Sequence, residues 1–159
     1  MALFSFPSQV NERAARLVAG VVATLAITAL ALGAWWMVPL LALGFLLRLG
    51  WGPKVSPLGR LASTLAPKLW RTVAVSGAPK RFAQGIGAAV TVSASLLFWR
   101  GWPTAGWALV GMIALFASLE AGLSFCLGCW LYGHLQRLGV FPPDVCVDCA
   151  RRLSPEAGR

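Results

Sequence analysis

Two closely spaced cysteine pairs are the residues of this chain most able to do chemistry. Cys126 and Cys129 form one Cys-x-x-Cys motif, Cys146 and Cys149 form a second, and the chain contains only these four cysteines. The full spacing, C-x2-C-x16-C-x2-C, lies in the range that is typical of a tetrahedral zinc site. The same motif also allows one thiolate to attack a disulfide and the second to resolve the mixed intermediate.

Dithiol–disulfide exchange is the chemistry that this pattern favours. Lasting structural disulfides are rare in a reducing cytoplasm, whereas transient catalytic ones occur there. The second pair is followed by Arg151 and Arg152, whose charges would favour its thiolates. We therefore expect the second pair to exchange with a soluble thioredoxin-like partner, while Cys126 and Cys129 supply a dithiol at the membrane.

Metal binding is the first alternative, and simple packing is the second. Four thiolates could close around Zn²⁺ and clamp the C-terminal tail, residues 139–159, against the last membrane helix. A clamped tail would suit a structural or accessory subunit of a larger membrane complex. The zinc ligands in that interpretation are Cys126, Cys129, Cys146 and Cys149. In the packing alternative, the cysteines of the first pair are merely small apolar side chains.

Glu120 is the only acidic residue inside any predicted membrane span, and an ionisable group at that depth is a functional hypothesis by default. We expect a proton-handling or anion-handling carboxyl, or alternatively a protonated or Arg-paired group that holds helices together. A regular helix turns by about 100° per residue, which places Glu120 opposite Cys129 unless Gly122 bends the helix. A polar path past Glu120 would suit a third function, transport of a small sulfur anion such as thiosulfate.

The composition places these residues in a membrane protein. Of the 159 residues, 58% are hydrophobic and 12% are charged, whereas soluble domains carry roughly 25% charged residues. The mean hydropathy is +0.72. The net charge of +9 accompanies long apolar runs rather than one soluble face. Anionic lipid headgroups, and not nucleic acid, are therefore the expected counter-charge.

The apolar runs predict an all-α membrane protein, a four-transmembrane-helix bundle over residues 1–138. The expected spans are 14–32, 33–50, 84–99 and 104–135. Between the second and third spans we expect a basic amphipathic segment in the headgroup plane, which Pro67 divides into two short pieces. The apolar stripe of that segment is Leu58, Leu61, Leu65, Leu69 and Val73.

The distribution of basic residues predicts the orientation of the bundle. With a cytoplasmic N-terminus, 13 Lys and Arg residues lie inside and Arg100 alone lies outside, a strong positive-inside bias. The inner residues are Arg13, Arg16, Arg48, Lys54, Arg60, Lys68, Arg71, Lys80, Arg81, Arg137, Arg151, Arg152 and Arg159. Four spans return the C-terminus to the same side. Both cysteine pairs are therefore expected at the cytoplasmic face of a bacterial inner membrane.

Three segments carry a resemblance to a known family: Val10-Asn11-Glu12, Glu120-Ala121-Gly122 and Phe125-Cys126-Leu127-Gly128-Cys129. With them the chain resembles a bacterial integral-membrane family, domain of unknown function 4395, from about Val10 to Leu138. The resemblance implies a topology similar to that of the four-helix DoxX-like membrane proteins. It also implies sulfur or thiol traffic with thioredoxin-like or sulfurtransferase proteins, by analogy rather than by mechanism.

Overall fold

The structure of the protein is a computed structural model, which describes residues 9–52, 57–69 and 74–139. Those residues form six helices and a two-stranded sheet. The helices are α1 (Glu12–Leu32), α2 (Met37–Trp51), α3 (Pro57–Leu69), α4 (Gly77–Trp99), α5 (Pro103–Leu123) and α6 (Leu127–Arg137). The strands are β1 (Gln9–Asn11), which precedes α1, and β2 (Ala74–Ser76), which precedes α4.

Three of the described helices, α1, α4 and α5, are long and apolar enough to cross a membrane. The apolar helix α2 has 15 residues. At 1.5 Å per residue it is about 22 Å long, against a hydrocarbon core of roughly 30 Å. The structure therefore confirms a helical fold with three candidate membrane spans and one shorter apolar helix.

The short sheet aligns two of the long helices. β1 pairs antiparallel with β2, with Val10 opposite Val75. Because α1 follows β1 directly and α4 follows β2 directly, the sheet keeps the starts of both helices at the same end of the bundle. α2 and α5 return from the far end, where each is joined to its predecessor by a short turn. One end of the bundle therefore collects the starts of α1 and α4 and the ends of α2 and α5.

The predicted fourth span, 104–135, is not one helix. α5 ends at Leu123, Ser124 adopts a left-handed backbone with a φ of 58°, and α6 begins at Leu127. The backbone N–H groups of Ser124 and Phe125 both donate to the carbonyl of Leu119. Such bonds close the last turn of a helix that ends in a left-handed residue. The bend expected at Gly122 is thus a complete break two residues later.

The prediction that Pro67 divides the amphipathic segment is also wrong. α3 is continuous through Pro67, because only two helical residues follow the proline and the lost backbone hydrogen bond falls near the helix end. Ala62 and Ala66 are buried, and α3 contacts α1. Leu61 and Leu65 are exposed. The buried face of α3 is therefore made of small residues, and Val73 of the predicted stripe lies outside the described residues.

Close contact between α6 and α4 depends on Gly128. A Cβ atom added to Gly128 would lie 2.5 Å from Cβ and 2.6 Å from Cα of Ala83 on α4. Both of these atoms are fixed to the α4 backbone, so a side chain at this position would push the two helices apart. Gly128 therefore sets how closely the start of α6 approaches α4.

We expect Gly128→Ala to destabilise the protein by about 1–3 kcal/mol, because overpacking forces backbone shifts. Thermal unfolding of the detergent-solubilised protein measures the effect. Gly133→Ala is the matched control, since a Cβ added to Gly133 in the same helix meets nothing within 4 Å. That control should be neutral or slightly stabilising. Equal destabilisation by both substitutions would contradict the packing of α6 on α4.

Candidate functional site

The first cysteine pair lies at the start of α6. Cys126 is the N-cap of this helix, with φ −96° and ψ 103°, and Cys129 lies in its first turn. Cys126 Sγ accepts a hydrogen bond from the backbone N–H of Cys129 at 3.3 Å, and the two Sγ atoms lie 2.7 Å apart. A disulfide bond is about 2.05 Å long. The two thiols therefore need little movement to form one.

The N-cap position favours negative charge on Cys126. The first N–H groups of a helix have no partner within the helix, and their dipoles favour an anion at that end. Ser, Thr, Asp and Asn usually supply the accepting atom at an N-cap. Here the sulfur of Cys126 takes that role. Cysteines at helix N-termini are among those with a depressed pKa.

The hydrogen bond between the two thiols makes them chemically unequal. Because the Cys129 thiol donates to the Cys126 sulfur, the pKa of Cys126 falls below its ordinary value, although burial and the Glu120 carboxylate oppose this. The same hydrogen bond, together with burial, raises the pKa of Cys129. The Lys80 ammonium favours the thiolate of either residue. Of the two sulfurs, Cys126 therefore carries negative charge more readily, and Cys129 retains its proton more readily.

Glu120 and Lys80 form an ion pair beside these sulfurs. Lys80 Nζ donates to Glu120 Oε1 at 2.6 Å, and the two side chains are 12% and 21% exposed. Lys80 lies in the first turn of α4, and Glu120 lies in the last turn of α5. A continuous helix would have placed Glu120 opposite Cys129. Because the helix breaks before Cys126, Glu120 instead acts electrostatically on both sulfurs.

A second cation, Arg48, is buried near the end of α2. Its side chain is 4% exposed, its Nε donates to Gln84 Oε1 at 3.0 Å, and its guanidinium lies over the Phe45 ring at 4.8 Å. Gln84 is one turn after Lys80 on the same face of α4. Arg48 also interacts electrostatically with Glu120. We name Arg48, Lys80, Gln84 and Glu120 the buried polar cluster.

Arg16 on α1 holds the end of α5. Its Nε and Nη2 donate to the carbonyl of Ala121 at 3.2 and 2.9 Å, and Nη2 also donates to the carbonyl of Gly122 at 3.1 Å. The last carbonyls of a helix have no partner within it, and a cation near them is favourable. Arg16 therefore fixes the turn of α5 that carries Glu120 and precedes the break.

Sequence reasoning missed the roles of Arg16, Arg48 and Lys80. All three were counted only among the inner-side basic residues that indicate the orientation of the bundle. One signal for Lys80 was available. A cation in the first turn of a helix is unfavourable for the helix dipole, which suggests a specific compensating partner. The alternative of a paired Glu120 was correct in kind, although its partner is a lysine rather than an arginine.

The second cysteine pair, Cys146 and Cys149, lies outside the described residues. Within residues 9–52, 57–69 and 74–139, no three His, Cys, Asp or Glu side chains lie together as metal ligands. A four-cysteine zinc site requires the second pair. The zinc clamp and the return of the tail to α6 therefore both stay predictions.

Comparison with known proteins supports the family assignment. The family described as "Domain of unknown function (DUF4395)" matches residues 10–137, which contain the first cysteine pair and the buried polar cluster. No curated protein and no solved structure matches the chain. The resemblance found in the sequence is confirmed, whereas a topology similar to that of DoxX-like proteins is not.

We expect alkylation to distinguish the two sulfurs in a chain that carries Cys146→Ser and Cys149→Ser. Limited iodoacetamide at pH 7 should modify Cys126 at least about tenfold faster than Cys129, since one pKa unit is a tenfold change in thiolate and the two pKa values move in opposite directions. Mass spectrometry of the peptides locates the adduct. Equal modification of both sulfurs would show that the hydrogen bond does not separate them.

Two further variants test the causes of this difference. Cys129→Ala removes the hydrogen-bond donor, and Lys80→Met removes the cation, so each should move the alkylation profile of Cys126 to higher pH. Lys80→Arg keeps the charge and is the matched control. A profile that stays in place in both variants would mean that neither group tunes Cys126.

Proposed function

Since the chain belongs to the DUF4395 family, whose description assigns no function, we propose a function from the site: a membrane thiol or sulfur redox relay. The observation that carries this proposal is the 2.7 Å separation of the two sulfurs at the start of α6, where Cys126 is the N-cap. A depressed pKa on one sulfur and a retained proton on the other are what stepwise dithiol exchange requires.

The proposed reaction moves two electrons from the dithiol to a disulfide. The Cys126 thiolate attacks one sulfur of the partner's disulfide, forms a mixed disulfide and releases the partner's other sulfur as a thiolate. Cys129 then loses its proton and attacks Cys126 Sγ, which forms the Cys126–Cys129 disulfide and releases the second partner thiolate. We propose that Glu120 accepts the proton, because its carboxylate already acts on both sulfurs.

Simple packing explains the site less well than exchange does. A cysteine that only fills apolar space has a raised pKa and is inert. Cys126 instead caps a helix and lies in the field of the Lys80–Glu120 ion pair. Intramembrane ion pairs are costly to build and usually mark functional sites.

The proposed membrane arrangement has four spans, with both termini on the cytoplasmic side of a bacterial inner membrane. α2 would be the fourth, shorter span, aided by local thinning of the bilayer. Trp35 and Trp36 at the α1–α2 turn are exposed, as expected for interfacial aromatic residues on the outer side. α3 would lie in the inner headgroup plane with exposed Leu61 and Leu65 toward lipid. The dithiol would then face the cytoplasm.

We expect labelling with a membrane-impermeant maleimide to report this arrangement. Trp36→Cys and Arg100→Cys, each in a chain whose native cysteines are Ser, should react from outside in intact spheroplasts, because both positions are exposed at turns. A chain that retains only Cys126 should react in inverted vesicles and not in spheroplasts. Reaction of Arg100→Cys from the inner side, with Trp36→Cys still reacting from outside, would remove α2 as a span.

The relay itself is tested by the rate at which reduced thioredoxin reduces the Cys126–Cys129 disulfide of the purified full chain. If thioredoxin passes its electrons first to Cys146 and Cys149, the double change Cys146→Ser and Cys149→Ser should slow this reduction by at least tenfold. Thioredoxin would then have to attack the Cys126–Cys129 disulfide directly. Samples quenched with acid at successive times are alkylated, and mass spectrometry measures the fraction of disulfide that remains.

The controls separate the relay from its alternatives. Dithiothreitol, a small reductant, should reduce the disulfide at the same rate in both proteins. An unchanged rate with thioredoxin would rule out the tail as an intermediate and leave a single membrane dithiol. One zinc ion bound per chain, with four slowly reacting thiols, would instead favour the metal clamp.

A further inference from the structure

The face of α6 that points away from α4 is exposed. It carries Trp130, which is 53% exposed, and Arg137, which is also exposed. Cys126 and Gly133 share this face with them, because the four residues follow one another at steps of three and four along the helix. The opposite face packs on α4 through Gly128. We name Cys126, Trp130, Gly133 and Arg137 the α6 stripe.

The α6 stripe leaves room for an approaching backbone at its centre. Gly133 lies between the larger side chains of Trp130 and Arg137, and a Cβ atom added to Gly133 would meet no described atom outside its own helix within 4 Å. Because glycine has no side chain, another segment of chain can come closer to the helix here than at its neighbours. The Trp130 indole forms an apolar wall beside this position, and His134 packs edge-on against it at a centroid distance of 4.2 Å.

The α6 stripe lies at the charged end of the bundle rather than among acyl chains. Tyr132 of α6 contacts Phe82 of α4, with their ring centroids 5.7 Å apart. Lys80 and Arg81 immediately precede Phe82 in the first turns of α4. Basic residues at the start of an apolar helix mark the level of headgroups and water. Hydrocarbon is therefore not the expected cover for Trp130.

The chain that continues beyond α6 starts at one end of this stripe and is long enough to return to the other. Gly139 follows Arg137 by two residues and has a left-handed φ of 77°. A left-handed residue after a helix changes the direction of the chain. From Cys126 to Leu138 the distance is about 18 Å at 1.5 Å per residue. The residues from Gly139 to Cys146 span up to about 23 Å when extended. A segment that runs back along the stripe therefore brings Cys146 to Cys126.

The composition of residues 140–150, VFPPDVCVDCA, matches the α6 stripe. Its valines and phenylalanine suit an apolar wall, and its two adjacent prolines favour an extended backbone over a helix. The segment carries two carboxylates, Asp144 and Asp148, and no Lys or Arg. An anionic membrane surface would repel these carboxylates, whereas Arg137 on the stripe attracts them. The segment is thus better suited to this protein surface than to lipid.

We infer that residues 140–150 dock in an extended conformation along the α6 stripe, so that Cys146 lies beside Cys126. The docked segment packs on Trp130, approaches the helix backbone at Gly133 and pairs its carboxylates with the basic end of the stripe. The use of this contact rests on the proposed function, because it makes the second cysteine pair the direct exchange partner of the first. The docking itself requires no reactive sulfur.

A nitroxide label on Cys146 measures the docking without any thiol exchange. In the full chain in lipid nanodiscs, with the other cysteines as Ser, electron paramagnetic resonance should show an immobilised label. Trp130→Gln removes the apolar wall and Gly133→Leu fills the approach, so each should make the label as mobile as one on Ser154→Cys. Trp99→Gln is the matched control and should change nothing, because Trp99 is 82% exposed at the other end of the bundle. A mobile Cys146 label beside the native stripe would leave the stripe to lipid headgroups and overturn the docking.

Cross-linking to Cys126 tests the position of the docked segment. One chain retains only Cys126 and Cys146, and the other retains only Cys126 together with Ser154→Cys. In a free tail these loops, of about 20 and 28 residues, close at rates that differ by less than about twofold. With the segment docked, diamide should form the Cys126–Cys146 disulfide at least about tenfold faster than the other, after each rate is divided by the alkylation rate of the tail cysteine. Trp130→Gln should lower this ratio to about twofold or less.

The outcomes separate the docking from the proposed exchange. A ratio below about twofold beside the native stripe would overturn the proposed position of Cys146. Cross-linked dimers in place of cross-linked monomers would assign the stripe to a second copy of the chain and overturn it as well. An immobilised Cys146 label, combined with a thioredoxin rate that is unchanged when Cys146 and Cys149 are Ser, would retain the docking and remove the exchange.

Discussion

An ammonium and a carboxylate that meet inside an apolar bundle must stay together, because separating them leaves an unpaired buried charge. Removal of one partner from a buried ion pair typically costs about 3–5 kcal/mol. Lys80 and Glu120 apply this constraint to the start of α4 and the end of α5. Arg16 ties the start of α1 to the same end of α5 through its carbonyls. These contacts hold α1, α4 and α5 together at the end of the bundle where α6 begins.

The break between α5 and α6 turns the end of an apolar helix into a position where two sulfurs lie 2.7 Å apart. In an unbroken helix the Cβ atoms of Cys126 and Cys129 would be about 5–6 Å apart, and the Cys129 N–H would be held by a backbone carbonyl. The left-handed backbone of Ser124 is unfavourable by about 1–2 kcal/mol for a residue with a Cβ. A new helix, α6, begins after this residue. The sulfur of Cys126 accepts a hydrogen bond from the backbone N–H of Cys129 at its N-terminus. The strained backbone of Ser124 is thus what allows Cys126 to lie at a helix N-terminus.

Local features could be predicted from the sequence, and contacts between distant residues could not. The lengths and apolar content of the hydrophobic segments predict α1, α4 and α5. The cysteine motif and its flanking residues predict the family. Gly122 indicated a bend, but the complete break was missed because the residue with the left-handed backbone is a serine and apolar residues continue on both sides. The ion pair was missed because its partners are 40 residues apart. Leucine is usually buried more readily than alanine, yet close packing of α3 on α1 selects its alanines.

The link between Arg16 and the carbonyls of Ala121 and Gly122 also has a consequence for biogenesis. It joins residues 105 and 106 positions apart. At translation rates of about 5–20 residues per second, roughly 5–20 s pass between synthesis of the arginine and synthesis of its acceptors. Throughout that interval the nascent chain has neither the end of α5 nor Cys126. The break and the cysteine pair are therefore added only after α1, α2 and α4 have been synthesised.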